Sequence, residues 1–420
     1  MSCVRRGTWA LLLGWGCLIA SPPAVARESS GTPAAKAAFE RGEAAVKAGK
    51  LPEAIAAFRK AIDADPDFVD AHQRFIETTQ RQEAQTSRTV PVQRLQQLYE
   101  GWAHLYPKRA AYQWALGFLS QEADKADEYF TKALEIDPTF ARAHFWLARN
   151  ADQRGNWVAQ RRHLKAAVKS NRDDPRYLLR YAVAHRKSDP ARFRELALQV
   201  VDRFPTSPFA AEALNNLAGE AANPERRAYF DRLRAFYPAD RYSYSASAMN
   251  DLYAELTSPA EALSLAQEMT KALPASRTWQ QRVAVQDSMT RAQTLLAAGQ
   301  FVDAVDVLDK VQRPSGNHGV TLTLLKAEAA AGAGRRDQAY AALVESAAAA
   351  PDPRVEEALF KYAADLGKTR NDVDADLWRL RDAKATVAAP FQLPSSRGGA
   401  PGQLSDYRGR LVLLAFWFPS

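Results

Sequence analysis

Residues 35–68 read AKAAFERGEAAVKAGKLPEAIAAFRKAIDADPDF. The pattern predicts two short helices, with Gly49 in the turn between them and Gly42 as a small residue where the helices cross. An aromatic residue, Phe58, follows on the second helix. Pro66 ends that helix, because proline has no N–H to donate and clashes with the preceding turn. Neither helix could bury its apolar stripe alone, so the unit requires copies of itself stacked alongside.

The same order of residue types recurs four more times along the chain. Each copy combines small residues at the helix crossing or the turn with an apolar finish, and two of the copies end in proline. The residues that carry the pattern are Gly117, Ala126, Phe130, Ala133 and Pro138; Leu147, Ala148, Gly155, Leu164 and Ala167; Gly299, Ala304 and Leu308; and Gly334, Ala339, Leu343 and Pro351.

This pattern, repeated at a period of about 34 residues, resembles the tetratricopeptide repeat. The resemblance implies an all-α fold, a solenoid of helical hairpins in which the first helix of each hairpin lines a concave, peptide-binding face. Alanine-rich and leucine-rich segments with few β-branched runs also favour helix over most of the chain. We expect the repeat array at 35–351, with a polar linker at 27–34 before it and closing or linker helices at 352–386 after it. Within the array, Arg313–Gly319 is expected to be a turn-rich loop.

Composition excludes a nucleic-acid-binding stripe. The chain has 420 residues and a formal charge of +8. Arg5 and Arg6 belong to the leader, and the remaining acidic and basic residues are interleaved along the helices. Interleaved charges are typical of a solvated helical surface, whereas nucleic-acid binding requires clustered basic residues.

The first 26 residues predict a secretory signal peptide. A basic start, Met1–Arg6, precedes an apolar run that is too short for a membrane span, and Ala24-Val25-Ala26 supplies small residues for cleavage after Ala26. Both cysteines, Cys3 and Cys17, lie in this leader. A lipoprotein anchor at Cys17 is the weaker alternative, because Gly14-Trp15-Gly16 matches the approach to a lipidated cysteine poorly. We expect a periplasmic or secreted protein without a stable membrane span after signal cleavage.

The periodicity changes at residues 387–420. An extended segment, Ala389–Leu393, a glycine-rich turn and a capped helical turn at Leu404–Arg410 precede the apolar run Leu411–Phe418. A continuous apolar run after a glycine is typical of a strand buried on both faces of a sheet. This order resembles the start of the secreted thioredoxin-like proteins, the TlpA/ResA and AhpC/TSA redoxin group, with Arg410 in place of the usual lysine.

The resemblance implies that a Cys-x-x-Cys motif should follow within about three residues of the strand, yet Ser420 is the last residue printed. Left without neighbouring strands, LVLLAFWF would be an aggregation hazard. We therefore expect an incomplete sequence, cut just before the catalytic cysteine or selenocysteine; a selenocysteine codon at 421 is one cause and a frameshift or a fragment are others. The alternative is a true end, with the tail as a vestige.

No metal or cofactor is expected. The six histidines are scattered without metal-ligand spacing, so structural or surface roles are favoured. The chain also has no Gly-x-x-x-x-Gly-Lys-Ser/Thr phosphate loop and no Gly-x-Ser-x-Gly elbow.

The repeat groove is the candidate binding site for a protein or peptide ligand. Arg142 and Arg149 lie about one turn to either side of Phe145, where they could hold an acidic peptide beside an aromatic contact. The bland interpretation, that the aromatic residues are core and the arginines are solvated, is favoured. We expect glutamate at both arginines to weaken partner capture without unfolding. The groove candidates are Lys36, Phe39, Trp114, Phe118, Arg142, Phe145 and Arg149.

Two functions therefore remain open. The first is a secreted repeat protein that recruits partners for a C-terminal thiol oxidoreductase or peroxidase-like redoxin, of which the printed chain lacks the catalytic residue. The second is a non-catalytic periplasmic scaffold for protein-complex assembly.

Overall fold

A computed structural model describes residues 30–86, 92–386, 389–393 and 402–409. Within these residues the chain forms twenty α-helices, two short β-strands and one 3-10 turn. The predicted signal peptide, both cysteines and the predicted strand Leu411–Phe418 lie outside the described residues. By its contacts the chain divides into two compact units, Met1–Tyr237 and Pro238–Ser420.

The described part of the first unit is entirely helical. Its helices are α1 Pro33–Lys47, α2 Leu51–Ala64, α3 Val69–Thr86, α4 Val92–Leu105, α5 Ala110–Leu119, α6 Ala123–Ile136, α7 Ala141–Gln153, α8 Trp157–Ser170, α9 Pro175–Val183, α10 Pro190–Arg203, α11 Pro208–Glu220 and α12 Glu225–Phe236. Consecutive helices pair as α1/α2, α5/α6, α7/α8, α9/α10 and α11/α12, while α3 packs against α2 and α5. α1 begins at Pro33, two residues before the predicted start of the array.

The second unit continues with helical hairpins and ends in a short ribbon. Its helices are α13 Ser243–Glu255, α14 Pro259–Ala272, α15 Arg277–Ala297, α16 Phe301–Leu308, α17 Gly316–Gly332, α18 Arg336–Ala349, α19 Pro353–Asp365 and α20 Arg370–Lys384. β1 Gln392–Leu393 pairs antiparallel with β2 Gly402–Gln403, and the 3-10 turn Leu404–Tyr407 follows. α17 begins at Gly316, so the helix includes residues that the sequence predicted as loop.

The helix ends follow from local chemistry. Prolines occupy the first turn of α1, α9, α10, α11, α14 and α19, where a missing N–H costs nothing. Side chains such as Thr32 and Asn156 accept hydrogen bonds from N–H groups of the first turn. The predicted turn glycines of α1/α2 and α7/α8, Gly49 and Gly155, have φ of +73° and +69°, a left-handed conformation that glycine adopts without a steric penalty.

Two of the hairpins, α1/α2 and α5/α6, close through glycine. A Cβ added at Gly42 would lie 2.4 Å from the ring of Phe58, and one at Gly117 would lie 2.6 Å from the ring of Phe130. Both phenylalanine side chains are fully buried. The predicted helix crossing at Gly42 is therefore a close contact that leaves no space for any side chain.

In several repeats, a side chain six residues after a proline donates a hydrogen bond to the carbonyl oxygen of that proline. His72 Nε2 donates to the carbonyl oxygen of Pro66 at 3.0 Å, and Gln280 Nε2 donates in the same way to Pro274 at 2.8 Å. His72 Nδ1 accepts from the hydroxyl of Tyr99 at 3.0 Å, so the neutral ring is fully hydrogen-bonded. Burial lowers the pKa of His72 to about 4.

The lowered pKa predicts a loss of stability in acid. Because the pKa of His72 in the folded chain lies below its ordinary value of 6.5, the unfolded chain binds more protons. The stabilisation from neutral His72 is thus complete above pH 6.5 and declines as the pH falls towards 4. The contribution of His72 should make the free energy of unfolding about 2–3 kcal/mol lower at pH 4.5 than at pH 7.5. Urea unfolding at pH 7.5 and 4.5, followed by circular dichroism, measures the difference.

His72→Gln should flatten this pH dependence, because glutamine keeps the N–H donor to Pro66 and does not titrate. His104→Gln is the matched control, since His104 is exposed on α4 and should leave the dependence unchanged. An equally steep fall in both variants would contradict the role given to His72.

Candidate functional site

A small cleft lies where the ends of α5 and α6 meet α7. We call it the α5–α7 cleft. Its volume is about 190 Å³, and it is lined by Gly117, Phe118, Ser120, Gln121, Ala123, Ala126, Phe130, Trp146, Arg149, Asn150 and Gln153. Two of the groove residues predicted from the sequence, Phe118 and Arg149, are therefore brought to one site.

Aromatic rings form the wall of the cleft. Phe118 stacks on Trp114, with centroids 5.2 Å apart and planes 13° apart, and meets the Trp146 ring edge-on at 5.3 Å. Trp146 also stacks on Phe130 at 6.1 Å. Each ring of the wall is therefore packed against another ring.

Arg149 places a positive charge at this wall. Its side chain is exposed, and its guanidinium carbon lies 4.7 Å from the Trp146 ring centroid, within cation–π range. Among the described residues no carboxylate pairs with Arg149. The nearby carboxylate of Asp127 is already bonded to Asn150, at 2.6 Å, and to Arg154. The cleft therefore presents an unneutralised cation beside aromatic surface.

Arg142 does not take part in the cleft, which corrects the sequence-based expectation that it is free to bind a ligand. Only 5% of Arg142 is exposed. Its guanidinium donates to Asp70 and Gln73 on α3, at 2.5 and 2.6 Å, and lies over the Trp114 ring. The physical reason is that stacking places α3 against this helix face, and a buried guanidinium requires a carboxylate partner.

The remaining predicted groove residues are divided between core and surface. Trp114 is fully buried. Phe39 packs on Phe58 and Phe68, with ring centroids 5.4 and 5.2 Å away, and Phe145 packs on Tyr177 at 5.5 Å. These three rings serve the core, as the bland interpretation expected. Lys36 is exposed on α1 and does not line the cleft.

Trp146 is the site residue that sequence reasoning missed. It precedes Arg149 by three residues, a spacing that places both on one helix face. The sequence analysis used its neighbour Phe145, which the structure turns towards Tyr177 instead. The three-residue spacing between Trp146 and Arg149 would have identified Trp146 from the sequence.

Metal-ligand clusters and membrane-spanning helices are absent from the described part of the chain. No group of three or more histidine, cysteine, aspartate and glutamate side chains there could hold a metal ion. None of the helices described combines the length and apolarity that a membrane crossing requires.

Residues 35–68 and 118–182 each match a sequence model of the tetratricopeptide repeat. These residues are tetratricopeptide repeats. The second matched stretch includes most of the α5–α7 cleft, so the cleft belongs to the repeat array. No curated protein matches the chain.

Solved tetratricopeptide structures show low similarity to the chain. A thermophilic tetratricopeptide protein of Thermus thermophilus, TTC0263, is 13% identical over 44% of this chain and 99% of its own, with a TM-score of 0.34. PilF of Pseudomonas aeruginosa is 16% identical over 52% of this chain and 97% of its own, with a TM-score of 0.36. YrrB, a tetratricopeptide protein with an unusual peptide-binding site, is 14% identical over 42% of this chain and 89% of its own, with a TM-score of 0.27. These values are too low to transfer a function.

Charge reversal should lower the free energy of unfolding at Arg142 but not at Arg149, although both residues lie on α7. Arg142→Glu would leave a glutamate facing Asp70 in a buried setting, and should lower the free energy of unfolding by about 3 kcal/mol. Arg149→Glu changes an exposed side chain and should stay within about 0.5 kcal/mol of the parent. Urea unfolding of the two variants checks this, and equal stabilities would show that the Arg142 contacts contribute nothing.

Proposed function

We propose that the repeat array is a protein-binding scaffold, and that the α5–α7 cleft holds an acidic peptide segment of the partner. The observation that carries the proposal is Arg149, an exposed guanidinium stacked 4.7 Å from the Trp146 ring centroid with no carboxylate partner among the described residues. An acidic side chain of the partner would supply the missing charge through a bidentate hydrogen bond.

The size and composition of the cleft favour a peptide over a metabolite. A volume of about 190 Å³ is smaller than the several hundred Å³ typical of small-molecule pockets, and it suits one anchoring side chain. Tryptophan and arginine are also the residue types that most often carry binding energy in protein interfaces. Stacking on Trp146 restrains Arg149, which reduces the entropy lost on binding.

Selection of a random-peptide library on the purified chain tests this proposal. We expect acidic peptides with one apolar anchor to be enriched. In fluorescence anisotropy, Arg149→Glu should weaken their binding at least about tenfold, because a charge-assisted hydrogen bond becomes a like-charge contact.

Lys165→Glu is the matched control. It makes the same charge reversal at an exposed position on α8 outside the cleft, and should leave peptide affinity within about twofold. Enrichment of basic peptides, or equal affinity for the parent and Arg149→Glu, would overturn the cleft as the binding site.

We further propose that residues 387–420 begin a thioredoxin-like redoxin domain for which the array recruits clients. Its support is the residue order at 389–418 together with the local geometry of the described part. There β1 pairs with β2, Asp406 accepts the N–H of Gln403 at 2.9 Å to cap the 3-10 turn, and Gly409 ends that turn with φ of +78°. The signal-like leader at 1–26 supports a periplasmic or secreted location.

Thiol chemistry in such a domain would require a cysteine or selenocysteine after the strand, where a helix N-terminus lowers the thiol pKa. The gene sequence downstream of codon 420 tests this. An in-frame cysteine or UGA codon followed by a second cysteine is expected. A true stop followed by unrelated sequence would remove the redox proposal and leave the alternative, a non-catalytic scaffold for complex assembly.

A further inference from the structure

A cavity of about 450 Å³ lies in the second unit, between α13, α15 and the loop that leads into α17. We call it the α15–α17 cavity. Its lining includes Tyr253, Arg282, Arg313, Ser315 and Asn317, and contains no aspartate or glutamate. It lies in a different unit from the α5–α7 cleft, and the inference below does not depend on the proposed function.

Arg282 is held rigidly at the wall of the cavity. Its guanidinium carbon lies 4.3 Å from the Tyr253 ring centroid and 4.1 Å from that of Trp279, so the group packs against two aromatic rings that meet edge-on at 5.6 Å. One N–H donates to Asn250 Oδ1 at 2.7 Å. Burial lowers the pKa of Arg282, and the Tyr253 hydroxyl opposes this shift in part.

Three other partly buried arginines of the chain donate to carboxylates. Arg180 donates to Glu212 at 2.6 Å, Arg354 to Asp352 at 2.9 Å and Arg176 to Asp174 at 2.6 Å. In the part of the chain that the structure describes, Arg282 has no such carboxylate. A partly buried cation without an anion is costly, and an anionic ligand at the cavity wall would offset that cost.

Arg313 brings a second cation to the same cavity. The loop folds back over the first turn of α17, where a Cβ on Gly319 would lie 2.4 Å from the carbonyl oxygen of Pro314 and 4.0 Å from Nε of Arg313. This places Nε of Arg313 near the first turn of α17, the positive end of the helix dipole, where a bound anion would be stabilised. Among the described residues Arg313 also has no acidic partner.

We propose that the α15–α17 cavity binds a small phosphate monoester, with Arg282 and Arg313 holding the phosphate. The donors come from two separate guanidinium groups on different elements. A tetrahedral phosphate, with three terminal oxygens, can meet both, whereas a carboxylate has only two oxygens in one plane. The cavity volume lies within the range of small-molecule pockets and leaves space for the group that carries the phosphate.

Titration calorimetry on the full chain at low ionic strength tests the proposal with three probes: phenyl phosphate, inorganic phosphate and benzoate. Phenyl phosphate should bind more tightly than both of the others. Arg282→Gln and Arg313→Gln should each weaken phenyl phosphate at least about tenfold, the loss expected for a charge-assisted contact. Arg336→Gln, an exposed arginine outside the cavity, should leave the affinity within about twofold.

Arg313 is exposed, so Arg313→Gln decides the outcome even if Arg282→Gln fails to fold. Equal binding by Arg313→Gln and Arg336→Gln would overturn the assignment. Binding of inorganic phosphate as tight as that of phenyl phosphate would overturn the monoester, and benzoate binding as tight would overturn the choice of phosphate.

Discussion

In the hairpins α1/α2 and α5/α6, a glycine lets a phenylalanine ring reach the backbone of the partner helix. Gly42 receives Phe58 in this way and Gly117 receives Phe130, so each hairpin closes to a distance that no larger residue permits. A hairpin closed like this still exposes one apolar face, and only the next hairpin covers it. The continuous core that runs from Ala35 to Ala143 is the result of that stacking.

Stacking also determines which charged side chains remain available. Where one repeat covers another, arginines are drawn into pairs across the interface, as Arg142 is with Asp70 and Arg180 with Glu212. These pairs neutralise charge inside the array and leave little for a ligand. Arg149, Arg282 and Arg313 are different, because each borders open space and has no carboxylate among the described residues. Both candidate sites therefore contain arginines that the stacking leaves without a carboxylate partner.

Much of the repeat fold could be predicted from the sequence, because turns and helix ends are local. Glycine at Gly49 or Gly155, and proline at the helix ends, act through a few neighbouring residues. The binding site was harder to predict from the sequence. Position within the repeat suggested Phe118 and Arg149, which line the α5–α7 cleft, yet it could not show that Arg142 faces Asp70, which lies on α3 far away in the chain. The α15–α17 cavity was missed altogether, because Asn250, Arg282 and Arg313 meet only after the helices pack.

The arginines of the two candidate sites differ in solvation. An exposed arginine such as Arg149 is well hydrated, so leaving it without a carboxylate costs the folded chain little. Arg282 has lost part of its water to the rings of Tyr253 and Trp279. Stacking on aromatic rings returns roughly 1–2 kcal/mol of the cost of removing that water. A guanidinium held in that position without an anion is a costly feature for folding alone, and a bound oxyanion is the simplest account of it.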